Sequence, residues 1–304
     1  MMNRRHFLHA SIAFASSMLV NQLYAKSHVN PLSKAIPGSG ELLPAIGMGS
    51  FVNFNVGNDL EILRKRTELL KHFFQLGGGL IDSSPMYGSS EKNLGYCIEQ
   101  IKPVNNLFSA TKVWTASVKD GPMEIEASRN LWKVNQFDLL QVHNLLSWQG
   151  HLETLFEMKQ QGKLRYVGVT TSHGRRHREL EKIMQSHPID FVQATYNILD
   201  RDVEQRILPI AKEHGIAYIA NRPFQRGDLI DWVKQYPLPR FAKELDCDNW
   251  AALLLKFIVS HPAVTCAIPA TSRIDHLYEN MSAMKGVVPD QKMRDKLIRY
   301  VTAL

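Results

Sequence analysis

Cysteine is scarce in this chain: Cys97, Cys247 and Cys266 are the only three in 304 residues, and none forms a CxxC pair. An odd, scattered set excludes a disulfide framework and a cysteine zinc site, and no metal centre is expected. Cys97 and Cys266 stand in apolar stretches and are read as small core hydrophobes, Cys247 as a loop thiol. No apolar run reaches the roughly 18 residues of a membrane span. Charge of one sign is also lacking. Lys and Arg total 36 against 29 Asp and Glu, a net charge of +7, and the two signs are interspersed. One basic run, Arg175-Arg176-His177-Arg178, is read as a solvated helix start rather than an anion site. No basic stripe interleaved with aromatics is present, so nucleic acid is not an expected partner. No GxGxxG follows an apolar run, which argues against a doubly wound dinucleotide fold. With 44% hydrophobic residues, 21% charged residues and a mean hydropathy of −0.21, the composition is that of a globular protein.

The first residues carry a pattern of their own. Asn3-Arg4-Arg5-His6-Phe7-Leu8 precedes a weakly apolar stretch, Ala10–Val20, of the size of a signal h-region, and Leu23-Tyr24-Ala25 offers a small-residue end. Twin arginines before an aromatic and a leucine resemble the signal read by the twin-arginine (Tat) export machinery. Residues 1–25 are therefore expected to be a removable leader, with no stable membrane anchor. Residues 26–304 then form one domain, near the upper size for a single core. The expected location is the periplasm or another exported compartment, or the cytoplasm if the leader is not functional.

Beyond the leader a strand–helix rhythm sets in. Short apolar runs at Leu80-Ile81-Asp82, Leu107–Lys112, Phe137–Val142, Tyr166–Thr170, Phe191–Thr195 and Ile216–Ala220 alternate with amphipathic segments such as Leu60–Leu76, Glu91–Gln100, Leu152–Gln161 and Glu204–His214. Pro44–Gly49 and Val264–Ala267 complete a set of eight strands. Alternation of this kind predicts a parallel sheet, and eight units predict an α/β fold of the (β/α)8 TIM-barrel type as a single domain. In such a barrel the chemistry gathers where the strands end. Asp82, Lys112 and His143 stand at or just beyond three strand ends, and Gln193 lies on a fourth strand.

Gly79-Leu80-Ile81-Asp82-Ser83-Ser84-Pro85-Met86-Tyr87-Gly88-Ser89-Ser90-Glu91, completed by Leu94-Gly95, strongly resembles the signature of the aldo-keto reductase superfamily. Thr111-Lys112-Val113-Trp114 resembles its lysine motif and Asp138-Leu139-Leu140-Gln141-Val142-His143 its histidine motif, and the likeness runs on to Asn280. The resemblance implies a catalytic tetrad of Asp82, Tyr87, Lys112 and His143. Reducing a carbonyl needs a hydride at carbon, which a nicotinamide supplies, and a proton at oxygen. Tyr87 is the expected proton donor. The Lys112 ammonium is expected to favour its phenolate, Asp82 to orient Lys112, and His143 to hydrogen-bond the carbonyl oxygen.

The same resemblance implies an extended NADP(H), preferred over NAD(H), and a small-molecule carbonyl substrate. Ser50, in Gly47-Met48-Gly49-Ser50, is placed near the pyrophosphate. The nicotinamide end falls to Asp82, Thr171 and Gln193. In Gly168-Val169-Thr170-Thr171 a threonine replaces the family's asparagine, and Asn221 stands where a stacking tyrosine is usual. Arg222, Phe224 and Gly227 follow in the next loop. Thr271, Arg273 and Asn280 are expected at the adenosine end, where an arginine suits a 2′-phosphate. Met86, Trp114 and Asn144, with Phe51 and Phe54, are expected to line a substrate mouth suited to apolar carbonyls, and the loop Asp231–Asp248 to cover it. An exported nucleotide-sensing or partner-binding module on the same barrel, with little or no turnover, is the alternative.

Overall fold

In the computed structural model, which describes residues 31–304, the chain from Leu32 to Leu304 forms one unit. The expected leader, residues 1–25, lies outside the described residues. A small antiparallel hairpin, β1 (Ser33–Ala35) and β2 (Leu42–Pro44), comes first. Then β3 (Met48–Gly49), β4 (Leu80–Asp82), β5 (Phe108–Val113), β6 (Phe137–Val142), β7 (Leu164–Thr170), β8 (Phe191–Thr195), β9 (Ala217–Asn221) and β10 (Val264–Ala267) follow in chain order. Each lies parallel to the next in one sheet. The ends of that sheet meet: Gly47 N donates to Ala267 O at 2.8 Å and Ala267 N to Ala45 O at 2.9 Å. The expected (β/α)8 barrel is thus formed.

Helices fill the crossovers: α1 (Leu60–Gln75), α2 (Ser90–Ile101), α3 (Gly121–Trp132), α4 (Trp148–Gln160), α5 (His177–Ser186), α6 (Ile207–Glu213), α7 (Asp228–Val233) and α8 (Trp250–Val259), with α9 (Ile274–Ser282) and α10 (Gln291–Thr302) after the last strand. Their sequence logic is local. Asp59 caps α1 by accepting from the amides of Glu61 and Ile62, and one face, Leu63, Leu69, Leu70 and Phe73, is buried. Among the described residues no helix is long and apolar enough to cross a membrane.

Two expectations about elements change. Pro44–Gly49 is not one strand: Leu42–Pro44 pairs with Ser33–Ala35, and the barrel takes only Met48–Gly49. The physical reason is the open lower end of the barrel. Ile36 and Leu43 cluster there with Phe108, Tyr166 and Phe191, which stand near the starts of β5, β7 and β8. Glu204–His214 is also not one helix. A single turn at Asp202–Glu204 precedes α6, where Glu204 accepts from Tyr196 Oη at 2.5 Å and Arg294 Nη2 at 3.0 Å.

The barrel interior is layered by the two-residue alternation of strands. Phe108, Tyr166 and Phe191 lie lowest, and Leu80, Ala110, Leu139 and Ile219 join them in one apolar cluster. Gly168 leaves room in this packing, since a Cβ there would meet Phe191 O at 2.8 Å and Gln141 Cγ at 3.2 Å. Two residues further along their strands stand Asp82, Lys112, Gln141, Gln193 and Asn221. The upper layer is therefore polar. Cys97, Cys247 and Cys266 are all buried, with no disulfide among them; Cys247 lies in a loop, as expected, and is only 2% exposed.

Candidate active site

At the strand ends, Lys112 and Asp82 are 1% and 2% exposed. Lys112 Nζ donates to Asp82 Oδ2 at 2.6 Å and to Ser83 O at 2.7 Å. Tyr87 closes a single turn, Pro85–Tyr87, that begins just after β4 and is capped by Ser84 Oγ, which accepts from Met86 N at 3.2 Å. Gly88 follows with φ +59°, and a Cβ there would collide with the Asn55 side chain at 2.5 Å. The Tyr-Gly pair is thus fixed by backbone geometry, and it leaves Lys112 Nζ 5.2 Å from the centre of the Tyr87 ring. His143 opens the turn after β6. Its ring stands edge-on to Tyr87 at 5.8 Å and to Trp114 at 5.0 Å between centroids. All four tetrad residues are brought together.

Burial pushes the Tyr87 phenol above its ordinary range. The Lys112 charge opposes this and Asp82 reinforces it. Lys112 thus acts toward the phenolate as expected, but burial outweighs it and the pKa of Tyr87 stays above its ordinary value. Burial also works against the charge on Lys112, but Asp82 and Tyr87 outweigh it and keep its pKa above the usual value. His143 is driven down to about 3 by burial and then by the Lys112 charge, so it is neutral. Its Nδ1 lies 2.9 Å from Ser84 Oγ, which leaves Nε2 as the free ring nitrogen. A phenol with a raised pKa, a fixed cation and a neutral imidazole thus meet at one point.

Asp82 has further partners that the sequence reading did not assign. Gln141 Nε2 and Gln193 Nε2 donate to its Oδ1 at 3.1 and 2.9 Å. Asn221 Nδ2 donates to Thr171 O at 2.9 Å, and its Oδ1 accepts from Thr195 Oγ1 at 2.9 Å. The alternation Leu139-x-Gln141 was the available signal for Gln141. Behind Lys112, Glu91 is 2% exposed. It accepts from Thr111 Oγ1 at 2.5 Å, Ser128 Oγ at 2.8 Å and Trp132 Nε1 at 3.1 Å, tying α2 to β5 and α3.

Above the tetrad opens a cavity of about 990 Å³. Tyr87, His143 and Asp82 face it, while Lys112 lies beneath its floor. Of the residues expected at a cofactor, Ser50, Thr171, Gln193, Arg222, Phe224, Gly227, Thr271 and Asn280 line it; of those expected at a substrate, Met86, Trp114, Asn144 and Phe51 do. Arg273 is not in the lining. It is exposed and paired with Asp275 on α9, Nε to Oδ1 at 3.0 Å. Phe54 is fully buried in the main core instead of at the mouth. Of the loop 231–248, Asp231 lines the cavity, whereas Phe241 packs against Tyr300 at 5.8 Å. Arg175 and Arg176, read as a solvated helix start, both reach the lining, as does Arg226, whose guanidinium stands 5.2 Å from the Phe51 ring centre. Two buried hydroxyls in the lining, Ser50 Oγ and Thr171 Oγ1, have no partner within the protein. Among the described residues no cluster of metal-ligating side chains occurs.

Barrel and site together place Tyr87, Lys112, Asp82 and His143 at the floor of one cavity. Comparison with known proteins specifies the family. Residues 45–296 match the model of the aldo/keto reductase family. An uncharacterized oxidoreductase of Schizosaccharomyces pombe is 28% identical over 233 residues, which cover 70% of this chain and 72% of the relative. The thermostable aldo-keto reductase Tm1743 superposes with a TM-score of 0.74 at 27% identity, covering 89% of this chain and 99% of that one. An aldo/keto reductase of Klebsiella pneumoniae superposes with a TM-score of 0.74 at 22% identity, covering 88% and 94%. The chain belongs to the aldo/keto reductase family and is an NAD(P)H-dependent oxidoreductase.

Proposed function

We propose that the protein reduces an aldehyde or ketone to the alcohol with NADP(H), with Tyr87 as general acid. The observation that carries this reading is the state of the tetrad: Tyr87 held protonated beside a charged Lys112 and a neutral His143. His143 Nε2 is the group to hydrogen-bond the carbonyl oxygen and set it against the Tyr87 hydroxyl. As the proton leaves, the adjacent ammonium stabilises the phenolate that forms, and Asp82 keeps that ammonium in place. Trp114 and Met86 offer an apolar wall to the rest of the substrate and limit water at the reacting carbon.

The lining fits the cofactor. Ser50 Oγ and Thr171 Oγ1 are buried donors without partners, and a buried polar group left unmade is costly. Ser50 suits the pyrophosphate; Thr171 and Gln193 suit the nicotinamide amide. Arg222 matches phosphate charge, with Phe224 and Gly227 shaping the same loop, and Thr271 and Asn280 stand at the adenosine end. Bound there, the nicotinamide supplies the hydride. NADP is favoured because the Klebsiella pneumoniae relative was solved with NADP. Here Arg273 reaches a 2′-phosphate only by leaving Asp275.

The export reading rests on Arg4-Arg5 and the apolar stretch after them. It places the protein in the periplasm or an equivalent exported compartment, with residues 26–304 as the mature domain. The test of activity is NADPH oxidation by the purified protein over a panel of aldehydes and ketones, with Tyr87→Phe beside it. Turnover that falls about 10²–10⁴-fold in the variant supports the reading. NADPH binding without turnover in either form favours a binding module. For export, Arg4→Lys/Arg5→Lys is expected to retain the protein in the cytoplasm, and unchanged location overturns that part.

A further inference from the structure

The segment between β7 and α5, Ser172-His173-Gly174-Arg175-Arg176, puts two adjacent arginines to different uses. Arg176 is spent inside the fold. Its Nη1 donates to Asn144 O at 2.8 Å and Leu145 O at 2.9 Å, and its guanidinium pairs with Glu179 at 2.7 Å. That clamp binds the segment to the turn that His143 opens, beside the reacting groups. The backbone holds the arrangement in the left-handed region, with φ of 61° at His173, 63° at Gly174 and 56° at Arg176. Away from glycine such backbone is uncommon and is kept where the surroundings over-determine it.

Arg175 is left over. It lines the cavity, and among the described residues no acid lies within ion-pair distance of it, nor of Arg222 or Arg226, which line the same cavity. His173 lies within the field of all three, and its pKa is lowered by burial and then by Arg222, Arg175 and Arg226 in turn. Of the acids in the lining, Asp82 is held by Lys112, Asp231 is paired with Lys234 at 2.6 Å, and Glu279 stands on α9 beyond the last strand. An unpaired cationic rim over a cleft concentrates anions there. A guanidinium fork fits a carboxylate or a phosphate, both of which offer paired oxygens.

We propose that the carbonyl substrate carries an anionic group, a carboxylate or a phosphate, which Arg175 binds at the cavity rim while the carbonyl lies at Tyr87 and His143. This rests on the reductase reading of the same site. It refines the expectation of a purely apolar substrate: the body lies against Trp114 and Met86, and the far end is charged. Arg222, on the loop after β9, remains with the cofactor's pyrophosphate. Arg175 belongs to the loop clamped to the His143 turn.

The test uses the full chain and two matched pairs: succinic semialdehyde against butanal for the carboxylate, and glyceraldehyde 3-phosphate against glyceraldehyde for the phosphate. The wild type is expected to prefer the charged member of one pair by about tenfold or more in kcat/KM, the scale of a hydrogen bond to a charged group, and Arg175→Ala to abolish most of that preference. Calorimetric binding of 4-hydroxybutyrate and of glycerol 3-phosphate to the NADP-loaded protein needs no turnover. One of the two is expected to bind and to lose affinity by a similar factor in the variant. If no aldehyde is reduced but this Arg175-dependent binding is seen, the reductase reading falls and the anion site stands. The proposal is overturned by equal use of charged and neutral members, by a preference that survives Arg175→Ala, or by a loss of NADPH affinity in Arg175→Ala as large as the loss for substrate. The last result makes Arg175 a cofactor-phosphate contact.

Discussion

Lys112 Nζ lies 2.6 Å from Asp82 Oδ2, and neither side chain is more than 3% exposed. A buried pair of this kind is unforgiving when one partner alone is removed, because the other is left as an uncompensated charge. Asp82→Asn is expected to lower unfolding stability by about 3–5 kcal/mol, and Lys112→Met to do likewise. The double variant is expected to recover much of the loss, since it leaves no buried charge. Denaturant unfolding of the three variants checks this, and additive losses contradict the pairing.

His143 makes stability depend on pH. The unfolded ring takes up a proton near its ordinary value of 6.5, and the folded ring only near 3. Between these values the unfolded state binds more protons, so this contribution is full above about pH 6.5 and is lost as the pH falls toward 3. His261, held near 4 by burial and then by Arg294 and Lys34, adds a second contribution of the same sign. Urea midpoints measured from pH 7 to 4 are expected to fall less steeply in His143→Gln than in the wild type. Parallel slopes contradict the assignment.

Tyr87 and Lys112 both titrate above their ordinary ranges. Carbonyl reduction is therefore expected to show no loss from phenol ionisation as the pH rises from about 7 to 9, since the free phenol value is about 10. A kcat that falls with an apparent pKa near 8 in every buffer tried contradicts a protonated resting tyrosine.

Ser50 and Thr171 separate ligand binding from folding. Each carries a buried hydroxyl without a partner, so Ser50→Ala and Thr171→Val are expected to leave stability unchanged or raise it. NADPH affinity is expected to weaken by about two- to tenfold, the range of one ordinary hydrogen bond. Unfolding curves and NADPH fluorescence titrations read the two effects independently. Loss of stability with unchanged affinity contradicts the cofactor role.

Much of this architecture was legible because strands alternate. Phe108-x-Ala110-x-Lys112, Leu80-x-Asp82 and Phe191-x-Gln193 each carry apolar residues inward and end on a polar one, and that pattern marks the floor of the site. The hairpin was not legible. Its strands are three residues each, too short for a period, and its role depends on a gap that only the closed barrel creates. Phe54 and Phe51 look alike in sequence, but only Phe51 turns into the mouth, because side-chain direction in a loop follows no period. Arg273 stands outside the cavity lining because Asp275 holds it on the surface, a pairing two residues away that the sequence does not single out. Arg175 reads as solvated in sequence because the clamp that brings it to the cavity runs through Arg176 to backbone carbonyls of a distant turn.

Hydride transfer coupled to proton donation by Tyr87 fixes where a label from the cofactor ends up. It is tested most directly by mass spectrometry of the alcohol formed from NADPH deuterated at the transferring position, with the wild type and Tyr87→Phe compared in a single turnover. One deuterium on the carbinol carbon is expected with the wild type, and formation of that product slowed about 10²–10⁴-fold in the variant. Unlabelled product, or labelled product formed equally fast by Tyr87→Phe, contradicts it.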